Sequence, residues 1–231
     1  MSLKISDFWR KVFQILGILF LILVLAALVR VAVWEHFYYK EKEGSPRATT
    51  NTPFVEGGVE EADEVEVTVD DQKKHIVAPD KPRFLSVEKL GIQNARILEV
   101  SANSGEPMGV PAGIFDVGWA RTSGKPGQGG TLLLDGHNGG PTKDGVFKNL
   151  PKLERGDIIT IERGDGQVFH YELYDRQILV LDEANAYMRT LSESPIPGRE
   201  SISIISCTGG WIQAQRTYDS RIMIRAVLVE N

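Results

Sequence analysis

The chain has 231 residues, 42% hydrophobic and 25% charged, and carries a net charge of −5. Those values suit one sizeable globular domain with extras, and the acidic balance offers nucleic acid no footprint. A single cysteine, Cys207, excludes an internal disulfide framework and any multi-cysteine metal site. An inert buried thiol, an intermolecular bridge and a reactive thiol stay open.

A tail of residues 1–11 precedes an apolar run. Residues 12–29 hold one polar interruption, Gln14, and at the helical rise they span roughly 27 Å, close to a bilayer core. Residues 31–34 extend the run past Arg30, whose long stem can snorkel to the interface. Trp9, Trp34, Tyr38 and Tyr39 lie where an aromatic belt would sit. We read 12–34 as a single transmembrane helix rather than a cleaved signal, because the aliphatic run continues through Ala26 and Ala27. Basic residues on the two flanks nearly balance, so orientation is not set by charge.

Residues 35–82 read as an extended acidic linker. Between Glu56 and Asp71 there are eight acids and no base, a composition that buries little and repels itself. Val65, Val67 and Val69 alternate with polar residues as in a weak edge strand.

From residue 83 to 231 short β patterns alternate with Gly and Pro. Strands are expected over 83–90, 95–100, 114–120, 131–138, 157–163, 168–180, 201–208 and 221–229. Gly164-Asp-Gly166 is a hairpin turn, and 146–153 a short helical turn. Eight strands without alternating long helices point to an all-β fold, an antiparallel barrel or sandwich. Two long connections, 182–200 and 209–220, read as binding loops.

The strand pattern Ser201-Ile-Ser-Ile-Ile-Ser runs into Cys207-Thr-Gly-Gly. A thiolate, not a thiol, attacks an acyl carbon, so it needs a proton acceptor or a cationic neighbour. Of four histidines, His36 lies at the membrane edge, His75 in the linker and His170 inside a strand. His137 ends the aliphatic run Thr131-Leu-Leu-Leu-Asp-Gly136 and opens into Asn138-Gly-Gly. Acyl transfer also needs a donor for the developing oxyanion, and a guanidinium stays charged and presents a rigid fork. Arg221 begins the last strand, across one loop from Cys207, and strands joined by one loop are commonly neighbours.

The order of these stretches resembles the sortase family. Leu134-Asp-Gly-His137-Asn is similar to its histidine motif, Ser203-Ile-Ile-Ser-Cys207 to its cysteine strand, and Tyr218-Asp-Ser-Arg221 to its arginine strand. Phe147-Lys-Asn-Leu150 and Leu153-Glu-Arg-Gly-Asp157 match the segment that follows the histidine. Asp116-Val-Gly-Trp119 with Gly124-Lys-Pro-Gly127 resembles the class E and F branches. The resemblance implies an eight-stranded sortase-type β-barrel with short helices, on the outer face of a Gram-positive cell membrane, N-terminus cytoplasmic. It implies a cysteine transpeptidase, a thiol protease that cleaves an LPXTG-like sorting signal through a thioester. Cys207 would be the nucleophile, His137 the general acid/base and Arg221 the stabiliser of the carbonyl or oxyanion. Ser206, Thr208, Asn138 and Trp119 would contact substrate, and the Gly-Gly after Cys207 would let a peptide lie close. Partners would be surface proteins bearing the signal and an amine acceptor, either a peptidoglycan precursor or a pilin lysine, with no nucleic acid. No cofactor or metal is implied, and Asp182, Glu183 and Glu193 leave calcium activation open.

Three features depart from the family pattern. Ser206 stands where Thr is common, Ala120 where the class E and F branches often carry Tyr, and Asp135 is unusual so near the histidine: it either orients His137 or, the reading we favour, faces solvent. An L,D-transpeptidase would place its cysteine close after its histidine, whereas here 70 residues (207 − 137) separate them. A sortase fold acting mainly as a hydrolase and a non-catalytic cell-wall peptide-binding module are the alternatives.

Overall fold

The computed structural model describes residues 16, 62–102 and 108–229. The apolar run 12–34 apart from residue 16, and residues 35–61 of the linker, lie outside them, and among the described residues no helix is long and apolar enough to cross a membrane.

Eight strands close into a barrel: β1 (Pro82–Val87), β2 (Ile92–Val100), β3 (Val117–Ala120), β4 (Thr131–Gly136), β5 (Ile158–Arg163), β6 (Val168–Val180), β7 (Ser201–Ile212) and β8 (Thr217–Leu228). The order around the barrel is β1-β2-β3-β4-β7-β8-β6-β5. Two pairs, β2/β3 and β4/β7, are parallel, where a wholly antiparallel barrel was the simpler expectation. Strand periodicity explains the interior. Leu132 and Leu134 of β4, Ile202 and Ile204 of β7, and Ile222, Ile224 and Ala226 of β8 share one face and form the core with Trp119, Phe147 and Tyr171. Closure leaves no sheet edge exposed.

Two expected loops are ordered elements. Connection 182–200 begins as helix α2 (Leu181–Leu191). Its Ala184, Tyr187, Met188 and Leu191 recur at helical spacing and pack on Leu133, Ile205 and Met223 of the barrel's outer face. Residues 201–206 are consequently buried on both faces. Connection 209–220 is mostly strand: β7 and β8 pair out to Ile212 and Thr217, with a register shift between Thr208 and Trp211. That bulge absorbs the Gly-Gly where a strand end was expected.

The acidic stretch also differs from an extended linker. Residues 69–74 form a short helix, α1 (Val69–Lys74), closed by a capping box in which Thr68 Oγ1 accepts from Asp71 N and Asp71 Oδ2 accepts from Thr68 N. Its acids sit in the first turn and its lysines in the last, as the helix dipole favours. The arm then packs on the barrel. Gln72 Nε2 donates to Asn94 O at 3.1 Å, His75 Nε2 donates to Ile97 O at 3.1 Å, and the His75 ring meets Phe84 edge-on. Val65 and Val67 join no strand; instead Asp63 forms an isolated parallel bridge with Gly113. The folded part therefore starts by residue 62 rather than at 83.

Candidate active site

The register of the closed sheet brings three sequence motifs together. Along the parallel pair β4/β7, Asp135 lies opposite Ile205. Two residues on, Cys207 continues β7 while His137 lies one residue past the end of β4, and both line one cleft. Along the antiparallel pair β7/β8, Cys207 lies opposite Arg221. Strand parity puts Cys207 and Arg221 on the outer face, because Ile204, an odd number of positions before Cys207, and Ile222, next to Arg221, point into the core.

A narrow cleft of about 20 Å³ is lined by Val110, Asp135, Gly136, His137, Ile205, Ser206, Cys207 and Arg221. Cys207 is half-buried. Arg221 is 4% exposed, and its guanidinium is fixed by its own strand: Nη1 donates to the carbonyls of Tyr218 (3.1 Å) and Ser220 (3.0 Å), and Nη2 donates to Thr217 Oγ1 (3.0 Å). A buried cation with several of its donors satisfied is held still, which suits it to stabilising charge that develops beside it.

His137 is oriented by a group that no motif announced. Its Nε2 lies 2.7 Å from the Pro111 carbonyl. A carbonyl oxygen can only accept, so Nε2 carries a proton here and Nδ1 is the ring nitrogen left to exchange one with a substrate. Pro111 thus plays the orienting part that a third group plays for a catalytic base. It belongs to residues 108–116, which follow β2, and this segment is anchored by a bidentate pair in which Arg96 Nε and Nη2 donate to Asp116 Oδ1 and Oδ2, both at 2.8 Å. The pairing with Asp116 raises the Arg96 pKa above its ordinary value. A backbone carbonyl leaves no signature in the sequence, and none could have singled out Pro111.

The remaining site candidates divide. Ser206 reaches the cleft, and its hydroxyl donates to Gly136 O at 2.7 Å, stitching the cysteine strand to the residue before His137. Asn138 is buried beside His137. Thr208 lies opposite Ser220, one step past the cleft. Trp119 is not brought to the thiol. Strand parity turns it into the barrel interior, where it is 2% exposed and donates from Nε1 to Gly124 O at 3.0 Å. Asp135 corrects the solvent-facing expectation: it is 7% exposed and lines the cleft. Gly209 has a local cause as well. Its φ is +86°, and a Cβ there would fall 2.0 Å from Asp219 Oδ1, so the space above it is taken by β8. Asp182 and Glu183 lie in the first turn of α2, and among the described residues no three His, Cys, Asp or Glu side chains gather closely enough to hold a metal ion.

The sortase domain model matches residues 85–229, which span β1 to the end of β8. The chain belongs to the sortase family. Similar solved structures include sortase C1 of Streptococcus agalactiae in complex with MTSET (19% identity, 72% of this chain and 75% of that one, TM-score 0.48). A sortase D5 transpeptidase of Clostridium perfringens is 22% identical over 71% of this chain and 89% of that one, with a TM-score of 0.46. A lid mutant of sortase A from Corynebacterium diphtheriae is 19% identical over 67% and 72%, with a TM-score of 0.48. No curated protein matches. The family assignment rests on the domain match, and the closed eight-stranded barrel agrees with it.

Proposed function

We propose that this sortase is a membrane-anchored transpeptidase in which Cys207 is the nucleophile, His137 the acid/base and Arg221 the oxyanion stabiliser. The observation that carries the reading is the register that sets Cys207 against Arg221 in a cleft shared with His137. The apolar run 12–34 supports a single-pass anchor with the barrel outside the cell.

In the proposed reaction the Cys207 proton rests on His137 Nδ1, and the thiolate adds to the scissile carbonyl carbon of an LPXTG-like sorting signal. The oxygen takes up the electron pair and is held by the Arg221 guanidinium. As the C–N bond breaks, His137 passes a proton to the leaving amine and a thioester remains on Cys207. An acceptor amine, from a peptidoglycan cross-bridge or a pilin lysine, then attacks the thioester carbon. His137 takes the amine proton, the C–S bond breaks and Cys207 leaves as the thiolate. Ser206, Thr208 and Asn138 flank the path of the bound peptide. The scheme uses no metal or cofactor.

The test is intact-mass spectrometry of the full chain with a library of sorting-signal peptides. An acyl adduct on Cys207 is expected, with its mass naming the preferred motif. Cys207→Ala should cleave nothing while keeping its fold. His137→Ala should lose about 10²–10⁴-fold in rate and Arg221→Ala about 10²–10³-fold. Cleavage by Cys207→Ala, or no adduct with any peptide, would sink the proposal. Release of free acid in the presence of abundant amine would point to a hydrolase.

A further inference from the structure

The acidic arm touches both segments that flank His137. On one side its main chain pairs with the segment that carries Pro111: Asp63 N donates to Ala112 O at 2.8 Å, and Ile114 N donates to Asp63 O at 2.9 Å. On the other side the Glu64 carboxylate clamps the loop that follows His137. Its Oε1 accepts from Thr142 N at 2.7 Å and from Lys143 N at 3.1 Å, and its Oε2 accepts from the Thr142 hydroxyl. Lys143 Nζ returns to Glu66 Oε1 at 3.0 Å. Beneath the arm Val146 N donates to Ile114 O at 2.8 Å, which joins the two segments, and Phe147 N donates to His137 O at 2.9 Å.

We infer that Glu64 is a positioning residue of the active site, which holds the 138–145 loop, and through it His137, against the Pro111 carbonyl. The inference rests on the proposed role of His137. An ionised acceptor of two main-chain N–H groups and a hydroxyl bonds more strongly than a neutral one. Those bonds, Thr142 first, keep the Glu64 carboxyl below its ordinary range, so the clamp is charged at neutral pH. The contact is also close. A Cβ added at Gly140 would fall 2.3 Å from Glu64 Oε1, so the loop accepts the carboxylate only because residue 140 has no side chain. The stretch that the sequence presents as a solvated spacer thereby becomes part of the wall behind the catalytic histidine.

The experiment uses the full chain and two independent levers, Glu64→Ala and Gly140→Ala, the second of which displaces the carboxylate without removing it. Glu64→Gln keeps an acceptor oxygen, and Lys89→Gln is a remote surface control. Two readouts are taken: kcat and KM on an LPXTG-type peptide, and the pH titration of the His137 resonance in chain labelled at histidine ¹³Cε1, assigned with His137→Gln. Both levers should lower kcat by about 10–100-fold, as misplacing a reacting group does, and leave KM within about twofold. Both should move the His137 titration, while Glu64→Gln recovers most of the wild-type behaviour and Lys89→Gln changes neither. An unchanged His137 titration and kcat in Glu64→Ala would overturn the inference and leave the transpeptidase reading intact. If the wild-type chain cleaves nothing yet the His137 titration moves in both levers, the brace stands and the transpeptidase reading falls.

Discussion

Glu200 sits where two strands of the candidate site begin, and its replacement by alanine gives a sharp test of how the site is built. The residue is 8% exposed. Its carboxylate accepts from the Tyr171 hydroxyl at 2.6 Å, from Gly127 N at 2.9 Å and from Gly129 N at 2.8 Å. Gly127 and Gly129 lie in the exposed loop before β4, and in Glu200→Ala their amides turn to water at small cost. Tyr171 is fully buried, and burial together with the Glu200 carboxylate pushes its pKa up. Its hydroxyl is therefore left without a partner. Losing a bond to a charged acceptor costs about 1.5–3 kcal/mol and orphaning a buried hydroxyl about 1–3 kcal/mol. The expected total is about 3–5 kcal/mol, a fall in Tm on the order of 10 °C for a domain of this size. Thermal melts followed by far-UV circular dichroism measure it. Tyr171→Phe removes the orphan, so the double variant should cost about 1–3 kcal/mol less than the sum of the two singles. A Glu200→Ala loss below about 1 kcal/mol, or strict additivity, would refute the clip.

Two further outcomes follow from the same structure. At Gly136, the residue before His137, a Cβ would fall 2.6 Å from Cδ2 of the buried Phe147 ring, so Gly136→Ala should cost about 1–3 kcal/mol by overpacking and lower peptide cleavage; unchanged stability by denaturant titration would contradict it. Burial holds the His75 imidazole below its ordinary 6.5, so the folded chain takes up this proton less readily than the unfolded one. The stability it contributes is full above 6.5 and is lost as pH falls from there through the lower value of the folded chain. Tm measured across this range should fall more steeply in wild type than in His75→Gln, and identical slopes would exclude the effect.

Much of the barrel was legible because strand period and turn residues are local signals. Alternation of Ser and Ile in 201–206 gave β7 its inner and outer faces, and Gly164-Asp-Gly166 gave the β5/β6 hairpin. Three things were hidden. α2 carries a helical pattern in Ala184, Tyr187, Met188 and Leu191, but it starts on Val180 with no side-chain cap, and the proline-rich stretch beyond it reads as a loop. The Gly-Gly after Cys207 looked like a strand end because a bulge and a turn use the same residues. The docking of 62–81 was invisible because an acidic stretch reads as solvated unless its partners are known. Thr142, Lys143, Asn94 and Ile97 lie far away in sequence, and at Asn94 and Ile97 the acceptor is a backbone carbonyl. For the site, types and spacing announced Cys207, His137 and Arg221. Nothing local separated Trp119, whose strand parity points inward, from a cleft residue, or told that Asp135 lies under neighbouring chain rather than in water.

The parallel pairing of β4 with β7 is the step that turns separate motifs into one cleft. In a parallel pair the two C-terminal ends lie at the same edge, whereas a hairpin would carry His137 and Cys207 to opposite ends of the barrel. The far end of this pair is tied several ways: Ser201 N donates to Gly130 O at 3.0 Å, the hydroxyls of Thr131 and Ser201 meet at 2.8 Å, and Glu200 grips the loop before β4. Near the cleft the Ser206 hydroxyl, donating to Gly136 O, repeats the tie. A slip of one residue between β7 and β8 would turn Cys207 or Arg221 into the core. The ties at Glu200 and Ser201 therefore act on the chemistry through register. Glu200→Ala should slow cleavage more than its loss of folded population accounts for, even though the substituted residue lies a whole strand length from the thiol.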